Sequence, residues 1–197
     1  MTLTFLIKSD TANISNYTIK DIPGSTGRLD VISRCILAAL FTNNILEKDI
    51  KIYVFLGKLG NFLFDSDKIV EDLFPKNELL LTDLLVKTIK LYTSEEYQGI
   101  TTNEGIKRIS EDIFKVITLF KKNNFKIFIL SEDGEEILKM KNYLDAHDDL
   151  IFIVGNQTGN FLQSQDLKKL ELPKISLGSR SYLASSVIRL IKLNLIL

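Results

Sequence analysis

Residues 150–187 read LIFIVGNQTGNFLQSQDLKKLELPKISLGSRSYLASSV and contain two short strand-like runs, 150–154 and 174–177. The first run stops at Gly155 and the second at Gly178. Glycine tolerates positive φ and lets other atoms approach the backbone closely. The pattern therefore predicts an α/β fold with a ligand pocket at the carboxyl ends of parallel strands, where backbone faces the ligand at both turns.

Length and charge limit the possible classes of protein. A chain of 197 residues suits one α/β domain, so we expect residues 1–197 to form a single domain. Lys plus Arg and Asp plus Glu number 25 each, so any contact with a nucleic acid must come from a local basic surface. No segment reaches the roughly 20 apolar residues of a membrane span, and no signal peptide is visible. We expect a cytoplasmic protein that does not contact a membrane.

Cysteine and histidine are scarce. Cys35 is the single cysteine and His147 the single histidine, so no intramolecular disulfide can form. No set of nitrogen and sulfur ligands for zinc exists, and no metal site is predicted. His147 lies in a polar stretch and is expected at the surface, whereas Cys35 lies on the apolar face of its helix and is expected in the core.

Strand-like and helix-like segments alternate along the chain. The predicted strands cover 3–7, 50–56, 125–130, 150–154 and 174–177. The predicted helices cover 30–41, 78–91, 104–122, 135–144, 164–170 and 181–193. Residue 30 takes the N-cap position of the first helix, and the apolar spacing makes 104–122 the clearest helix. The alternation predicts a mostly parallel sheet with helices on both faces.

Six segments then resemble a known family, in the family's order: FLIKSDTA (5–12), DIPGSTGRLDVISRC (21–35), GITTNEG (99–105), SEDGEEI (131–137), IFIVGNQTG (151–159) and ISLGSRSYLASS (175–186). The chain resembles the archaeal tRNA pseudouridine-54 N1-methyltransferases of the SPOUT superfamily. The resemblance implies a SPOUT-type fold with a C-terminal deep trefoil knot. It also implies a homodimer with its active site at the subunit interface, and S-adenosylmethionine bound in the knot.

The resemblance assigns the cofactor to seven positions. These are Leu130, Val154, Gly155, Leu177, Gly178, Leu183 and Val187. An adenine can be held largely by backbone groups in an apolar slot, which fits glycine turns between aliphatic walls. Judged from the residues alone, each position suits a buried strand end or a helix start equally well.

Three residues are the catalytic candidates that the resemblance implies. Asp30 is predicted to orient or accept the proton that N1 of pseudouridine loses, with Arg28 polarising the base and Asn156 supplying an acceptor in the pocket loop. Asp30 could equally cap its helix. Arg34, one turn further along, could equally form an intrahelical salt bridge with Asp30.

Basic side chains suggest where RNA would bind. Lys8, Arg28, Arg34 and Arg180 are predicted to hold RNA phosphates, and Lys20 is a weaker candidate. The implied partner is the T-arm of tRNA, whose target base must be exposed at an unstacking cost of a few kcal/mol. Recognition would then depend mainly on phosphates and shape.

The chain departs from the family pattern beside the expected pocket. Asn156 and Gln157 stand where the family usually has Asp-His, and Ser186 and Val187 stand where it usually has His-Cys. These departures leave open a catalytically impaired or retargeted SPOUT paralog that binds RNA or methylates a different pseudouridine. An unrelated α/β nucleotide-binding protein is disfavoured, since neither GxxxxGK[ST] nor GxGxxG occurs.

Overall fold

A computed structural model describes residues 1–93, 104–140, 144, 149–155 and 161–196. Its strands are β1 (Leu3–Lys8), β2 (Phe41–Thr42), β3 (Ile45–Leu46), β4 (Ile50–Phe55), β5 (Asn61–Asp65), β6 (Ile106–Ile109), β7 (Lys126–Glu136), β8 (Leu150–Val154) and β9 (Lys174–Ser176). Its α-helices are α1 (Ile22–Ser25), α2 (Leu29–Leu40), α3 (Glu78–Thr93), α4 (Ile113–Lys122), α5 (Gln165–Lys168) and α6 (Ala184–Ile196).

Seven strands form one sheet in the order β6-β5-β4-β1-β8-β7-β9. The five strands from β4 to β9 run parallel to their neighbours. Only β5 runs against its partners β4 and β6 in the described sheet, and β2 and β3 pair separately. The predicted mostly parallel sheet is confirmed.

Both faces of the sheet are covered. In β8, Phe152 faces a core that α2, α3 and α6 complete, whereas Ile151 and Ile153 face a second core that α4 and α5 complete. Successive side chains of a strand point to opposite faces, so a strand covered on both sides has to be apolar throughout. The run LIFIV meets that requirement, and the prediction of helices on both faces is confirmed.

The prediction of one helix over 104–122 is wrong. Residues Ile106–Ile109 form β6, which pairs with β5, and the helix begins only at Ile113. Isoleucines at 106 and 109 fit a helical face, yet an edge strand uses them as well. The helix start is set by Asp112, whose carboxylate accepts a hydrogen bond from the backbone N–H of Lys115 at 2.9 Å.

The predicted helix over 135–144 is also wrong in its described part. Strand β7 extends to Glu136 and a 3₁₀ turn follows at Ile137–Met140. After a bulge, Glu135 pairs with Ile175 and Glu136 with Ser176 of β9, and this long-range pairing keeps the backbone extended. Local spacing carries no information about such a partner.

The start of α2 differs from the expected one. Arg28, not Asp30, takes the N-cap position, with φ at 74°, and makes no capping hydrogen bond with its side chain. The hydroxyl of Thr26 instead accepts from the N–H of Leu29 at 3.1 Å. Asp30 therefore lies in the first turn, where a carboxylate still interacts favourably with the helix dipole.

A buried lysine connects the C-terminal helix α6 to the C-terminus of α2. Lys192 of α6 is 4% exposed and donates to the carbonyl oxygens of Ala38 and Ala39 at 3.0 and 2.9 Å. Its Nζ also lies 3.1 Å from Oε1 of Glu47. Burial lowers the pKa of Lys192, and Glu47 acts in the opposite direction. The ammonium thus satisfies carbonyls that the C-terminus of α2 leaves without helical partners.

Two further expectations concern cysteine and histidine. Cys35 is 1% exposed, which confirms the core position, and burial raises the pKa of its thiol to about 12. His147 lies outside the described residues. Among the helices that the structure describes, none is long and apolar enough to cross a membrane.

Candidate functional site

A cleft of about 770 Å³ lies at the carboxyl ends of β7, β8 and β9, against the first turns of α2 and α6. Its volume is within the range of small-molecule sites, about 300–1,000 Å³. All seven residues predicted to hold the cofactor line it: Leu130, Val154, Gly155, Leu177, Gly178, Leu183 and Val187. The fold thus brings together residues that are more than 50 positions apart, although their contact with a cofactor stays a prediction.

The two glycines act differently. Gly178 has φ at +104°, and a Cβ built there would meet no atom within 4 Å, so its backbone is open to the cleft. Gly155 does not have a left-handed backbone. A Cβ at Gly155 would instead lie 3.1 Å from Cδ1 of Leu162, so this glycine makes room for a neighbouring side chain. Glycine was expected at both turns because it permits positive φ or close approach; Gly178 has the positive φ and Gly155 has the close approach.

Arg28, Asp30 and Arg34 form one ionic cluster at the start of α2. Nε and Nη2 of Arg28 donate to the two carboxylate oxygens of Asp30, each at 3.0 Å. Nη2 of Arg34 donates to Oδ2 of Asp30 at 2.9 Å. Asp30 is therefore shared by two guanidinium groups, and the salt bridge weighed for Arg34 is present.

The position of Asp30 limits its chemistry. Its side chain is 3% exposed, and it is absent from the described lining of the cleft, whereas Arg28 and Arg34 belong to that lining. Burial raises the pKa of Asp30, but the hydrogen bonds and charges of the two arginines outweigh burial and leave the pKa below its ordinary value. A carboxylate that is ionised and saturated with donors is a weak proton acceptor. Its geometry suits holding the two arginines.

Arg180 borders the same cleft, on the loop between β9 and α6, and is exposed. Arg34 is held a second time, since its Nε lies 3.3 Å from Oε2 of Glu78 on α3. That Nε makes no hydrogen bond with the residues that the structure describes, so the contact is electrostatic only. Three of the four predicted RNA-binding residues therefore meet at one cleft.

Lys8 lies beside this cleft instead of in its lining. It borders a recess of about 30 Å³ at the end of β1, to which Arg28 and Gly155 also contribute. Its Nζ is 2.8 Å from Oδ1 of Asp10 and 5.4 Å from the centroid of the Phe161 ring. Of the other two candidates, Lys20 is exposed and lines neither cavity, and Asn156 lies outside the described residues.

The sequence pattern did not predict that acidic residues would line the cleft. Glu132 and Asp133, in the extension of β7, line the same cleft as the arginines. Nζ of Lys174 lies 2.7 Å from Oδ2 of Asp133, and this contact, with a hydrogen bond from Ser131, holds the pKa of Asp133 below its ordinary value. The motif SEDGEEI contains both acidic residues, but its position at the cleft depends on the pairing of β7 with β9, which the motif does not indicate.

The cleft lies at the carboxyl ends of the strands of an α/β fold and has glycines in its lining, apolar walls and arginines at its rim. This arrangement is typical of proteins that bind nucleotide-like ligands. The chain belongs to the family of putative SAM-dependent RNA methyltransferases, whose sequence model matches residues 2–196.

Curated relatives give the family a narrower description. A protein of Pyrococcus abyssi is 28% identical, over 97% of this chain and 96% of the relative. A protein of Methanococcus maripaludis is 31% identical, over 88% of both chains. One of Methanococcoides burtonii is 30% identical, over 83% of this chain and 80% of the relative. Each is named tRNA (pseudouridine(54)-N(1))-methyltransferase, so the resemblance stated from the sequence is confirmed.

The crystal structure of Archaeoglobus fulgidus Nep1 bound to S-adenosylhomocysteine is similar to this chain, with a TM-score of 0.68. The similarity covers 99% of this chain and 97% of that one at 16% sequence identity. At that identity the comparison shows the fold, and it confirms the α/β class. The deep trefoil knot stays a prediction.

Proposed function

We propose that this protein uses S-adenosylmethionine to methylate N1 of pseudouridine 54 in the T-loop of tRNA. The observation that carries the proposal is the convergence of all seven expected cofactor positions on one cleft that Arg28, Arg34 and Arg180 border. Relatives that span most of the chain and bear this activity in their names support it.

The residues of the cleft suit the cofactor. Leu130, Val154, Leu177 and Val187 supply apolar walls for an adenosyl group, and Gly178 leaves backbone open for hydrogen bonds. When bound, the cofactor supplies an electrophilic methyl group on a sulfonium. The task of the protein is to orient this group and to exclude water from it.

The arginines face the substrate in this proposal. Arg28 and Arg34 would hold a phosphate or polarise the carbonyls of the base. Asp30 orients both guanidinium groups, because its carboxylate accepts a hydrogen bond from each. Arg28 has a left-handed backbone, which is uncommon for a residue other than glycine and is typical of functional sites. We therefore propose that Asp30 orients the arginines and does not itself take the proton from N1.

We further propose a cytoplasmic homodimer whose interface adjoins the cleft. Tyr182 and Leu183 support it, because they are 40% and 68% exposed beside the loop that carries Gly178. Large apolar side chains at a surface favour association. Light scattering coupled to gel filtration tests the dimer, and a monomer at micromolar concentration would contradict it.

A methylation assay tests the activity. The protein is incubated with S-adenosylmethionine and a T-arm that carries pseudouridine at position 54, and mass spectrometry looks for one added methyl group. The matched control is the same T-arm with uridine there, which we expect to stay unmodified. Cofactor binding without methyl transfer would instead favour the impaired or retargeted paralog, and calorimetry that detects no cofactor binding would disprove both.

The variant Asp30→Ala tests the role of the ionic cluster. We expect methylation to be lost and the affinity for S-adenosylmethionine, measured by calorimetry, to stay nearly unchanged. The reason is that Asp30 contacts the arginines and not the described cleft. Turnover equal to that of the wild type would remove Asp30 from the mechanism.

A further inference from the structure

We propose that a second groove, at the β5–β6 edge of the sheet, binds phosphates of the same tRNA. This edge groove has a volume of about 670 Å³ and is lined by Gly60, Asn61, Tyr92, Lys107, Arg108, Ile109 and Ser110. The inference rests on the proposed function, since it names a further contact with the proposed substrate. It adds a binding site that the seven cofactor positions and the arginine cluster do not include.

Arg108 is held in place at the groove. Its Nη1 donates to the backbone oxygen of Tyr92 at 2.8 Å, and its guanidinium carbon lies 5.9 Å from the centroid of the Tyr92 ring. A Cβ built on Gly60 would lie 3.3 Å from Nε of Arg108, so the glycine leaves room for the guanidinium. A guanidinium that is oriented before binding loses little entropy when it donates to a phosphate.

Among the described residues, the cations of the groove have no acidic partner. Lys107 and Arg108 are exposed, as is Lys58 in the adjoining turn, and none forms an ion pair with the part of the chain that the structure describes. Nearby, the carboxylate of Asp112 is occupied, because it caps α4. Of the acidic residues that the structure describes, Glu111 is exposed next to the groove, but three described cations outnumber it. The local charge therefore favours an anion, although the whole chain is neutral.

The edge groove and the main cleft lie on the same rim of the sheet. The ends of β1, β4, β6 and β8 point the same way, because β5 alone runs against them. Four to five strand positions separate β6 from β8 and β7, which corresponds to roughly 20 Å at about 4.8 Å per strand. A tRNA that places its T-loop in the cleft can therefore contact the groove with phosphates of the same molecule. We favour RNA because tyrosine, arginine and lysine in one groove suit a phosphate chain and its bases.

Binding of full-length tRNA at several salt concentrations tests the edge groove. We expect Lys107→Ala, and more strongly Lys58→Ala with Lys107→Ala, to bind several-fold more weakly at low salt. The slope of log affinity against log salt should fall by about 0.7–0.9 for each lost phosphate contact. The affinity for S-adenosylmethionine should stay at the wild-type value, and Lys107→Arg should retain tRNA binding.

Lys122→Ala is the matched control, because Lys122 is also exposed and forms no ion pair with the described residues, but lies at the C-terminus of α4. If Lys107→Ala binds tRNA like the wild type, or if Lys122→Ala loses as much affinity, the edge groove is not a tRNA contact. Failure of the wild type to methylate tRNA would overturn the proposed function instead, and the comparison of binding would still decide the role of the groove.

Discussion

Asp30 has a different role in the structure from the one that its sequence position suggests. Just before an apolar run, an aspartate is a natural helix cap, and in the motif GRLDV it resembles a catalytic acid–base group. The structure places it in the first turn of α2 with 3% side-chain exposure, between Arg28 and Arg34. Burial alone would favour the neutral acid, but two guanidinium groups at hydrogen-bonding distance reverse that preference.

The variant Asp30→Asn should reveal the shifted pKa as a dependence of stability on pH. The pKa of Asp30 lies below its ordinary value of 3.8, so its stabilisation is fully present above pH 4 and is lost as the pH falls through the lowered pKa. We expect Asn to cost about 1.5–3 kcal/mol of unfolding free energy at pH 7 and progressively less in acid. Urea titrations of the wild type and the variant at pH 7 and pH 3 measure this loss of unfolding free energy.

Asp166→Asn is the matched control, because Asp166 pairs with Lys169 on the surface, with side chains 68% and 73% exposed. An exposed pair contributes less than about 1 kcal/mol. A loss for Asp30→Asn that stays constant between pH 7 and pH 3 would contradict the lowered pKa.

Among the elements, the turn that enters α2 depends most on one backbone position. Gly27 has φ at +57°, and a Cβ there would lie 1.8 Å from the backbone oxygen of Thr11. The hydroxyl of Thr11 also donates to the oxygen of Gly27 at 2.8 Å, which ties the loop after β1 to the start of the helix. Arg28 therefore owes its position to its neighbour as well as to Asp30.

Gly27→Ala should destabilise the protein much more than Gly57→Ala, although Gly57 has nearly the same φ, +59°. At Gly57 no atom lies within 4 Å of the added Cβ, so we expect only the left-handed backbone cost, about 1–2 kcal/mol. At Gly27 the collision adds a displacement of backbone, and the total should exceed about 3 kcal/mol. Chemical denaturation measures the unfolding free energy of the two variants. Equal losses of unfolding free energy would contradict the close packing at Gly27.

The predictions of helices failed at two segments where pairing between distant strands determines the backbone, and not the local spacing of apolar residues. Isoleucines three residues apart suit a helix, but in β6 the backbone of Ile106 pairs with Phe64, about 40 residues earlier. The same holds for Glu135, which pairs with Ile175 across a bulge. By contrast, β8 was predicted with its observed bounds, because an apolar run of five residues before a glycine fits a buried parallel strand.

For the whole molecule, ligand binding should appear as thermal stability. The main cleft takes its walls from the ends of three strands and the starts of two helices, so a ligand there should oppose global unfolding. S-adenosylhomocysteine at 100 times its Kd should add about 2.7 kcal/mol, or roughly 5–10 °C in Tm for a chain of this size. Differential scanning fluorimetry measures the shift. ATP serves as the control ligand, and an equal shift with ATP would contradict specificity for an S-adenosyl group.

The sequence by itself determined the parallel α/β class, the family and the glycine turn at Gly178, because these follow from apolar runs, alternation and motifs local to the chain. Only the tertiary structure decided that Asp30 is saturated by two arginines, that Glu132 and Asp133 line the same cleft as those arginines, and that Lys192 caps α2. The partners of Lys192 are about 150 residues away, and contacts of that separation have no local signature. The stretch from residue 150 to 187 predicted a pocket, and the fold brought Arg28 and Arg34 of the distant α2 region to its lining.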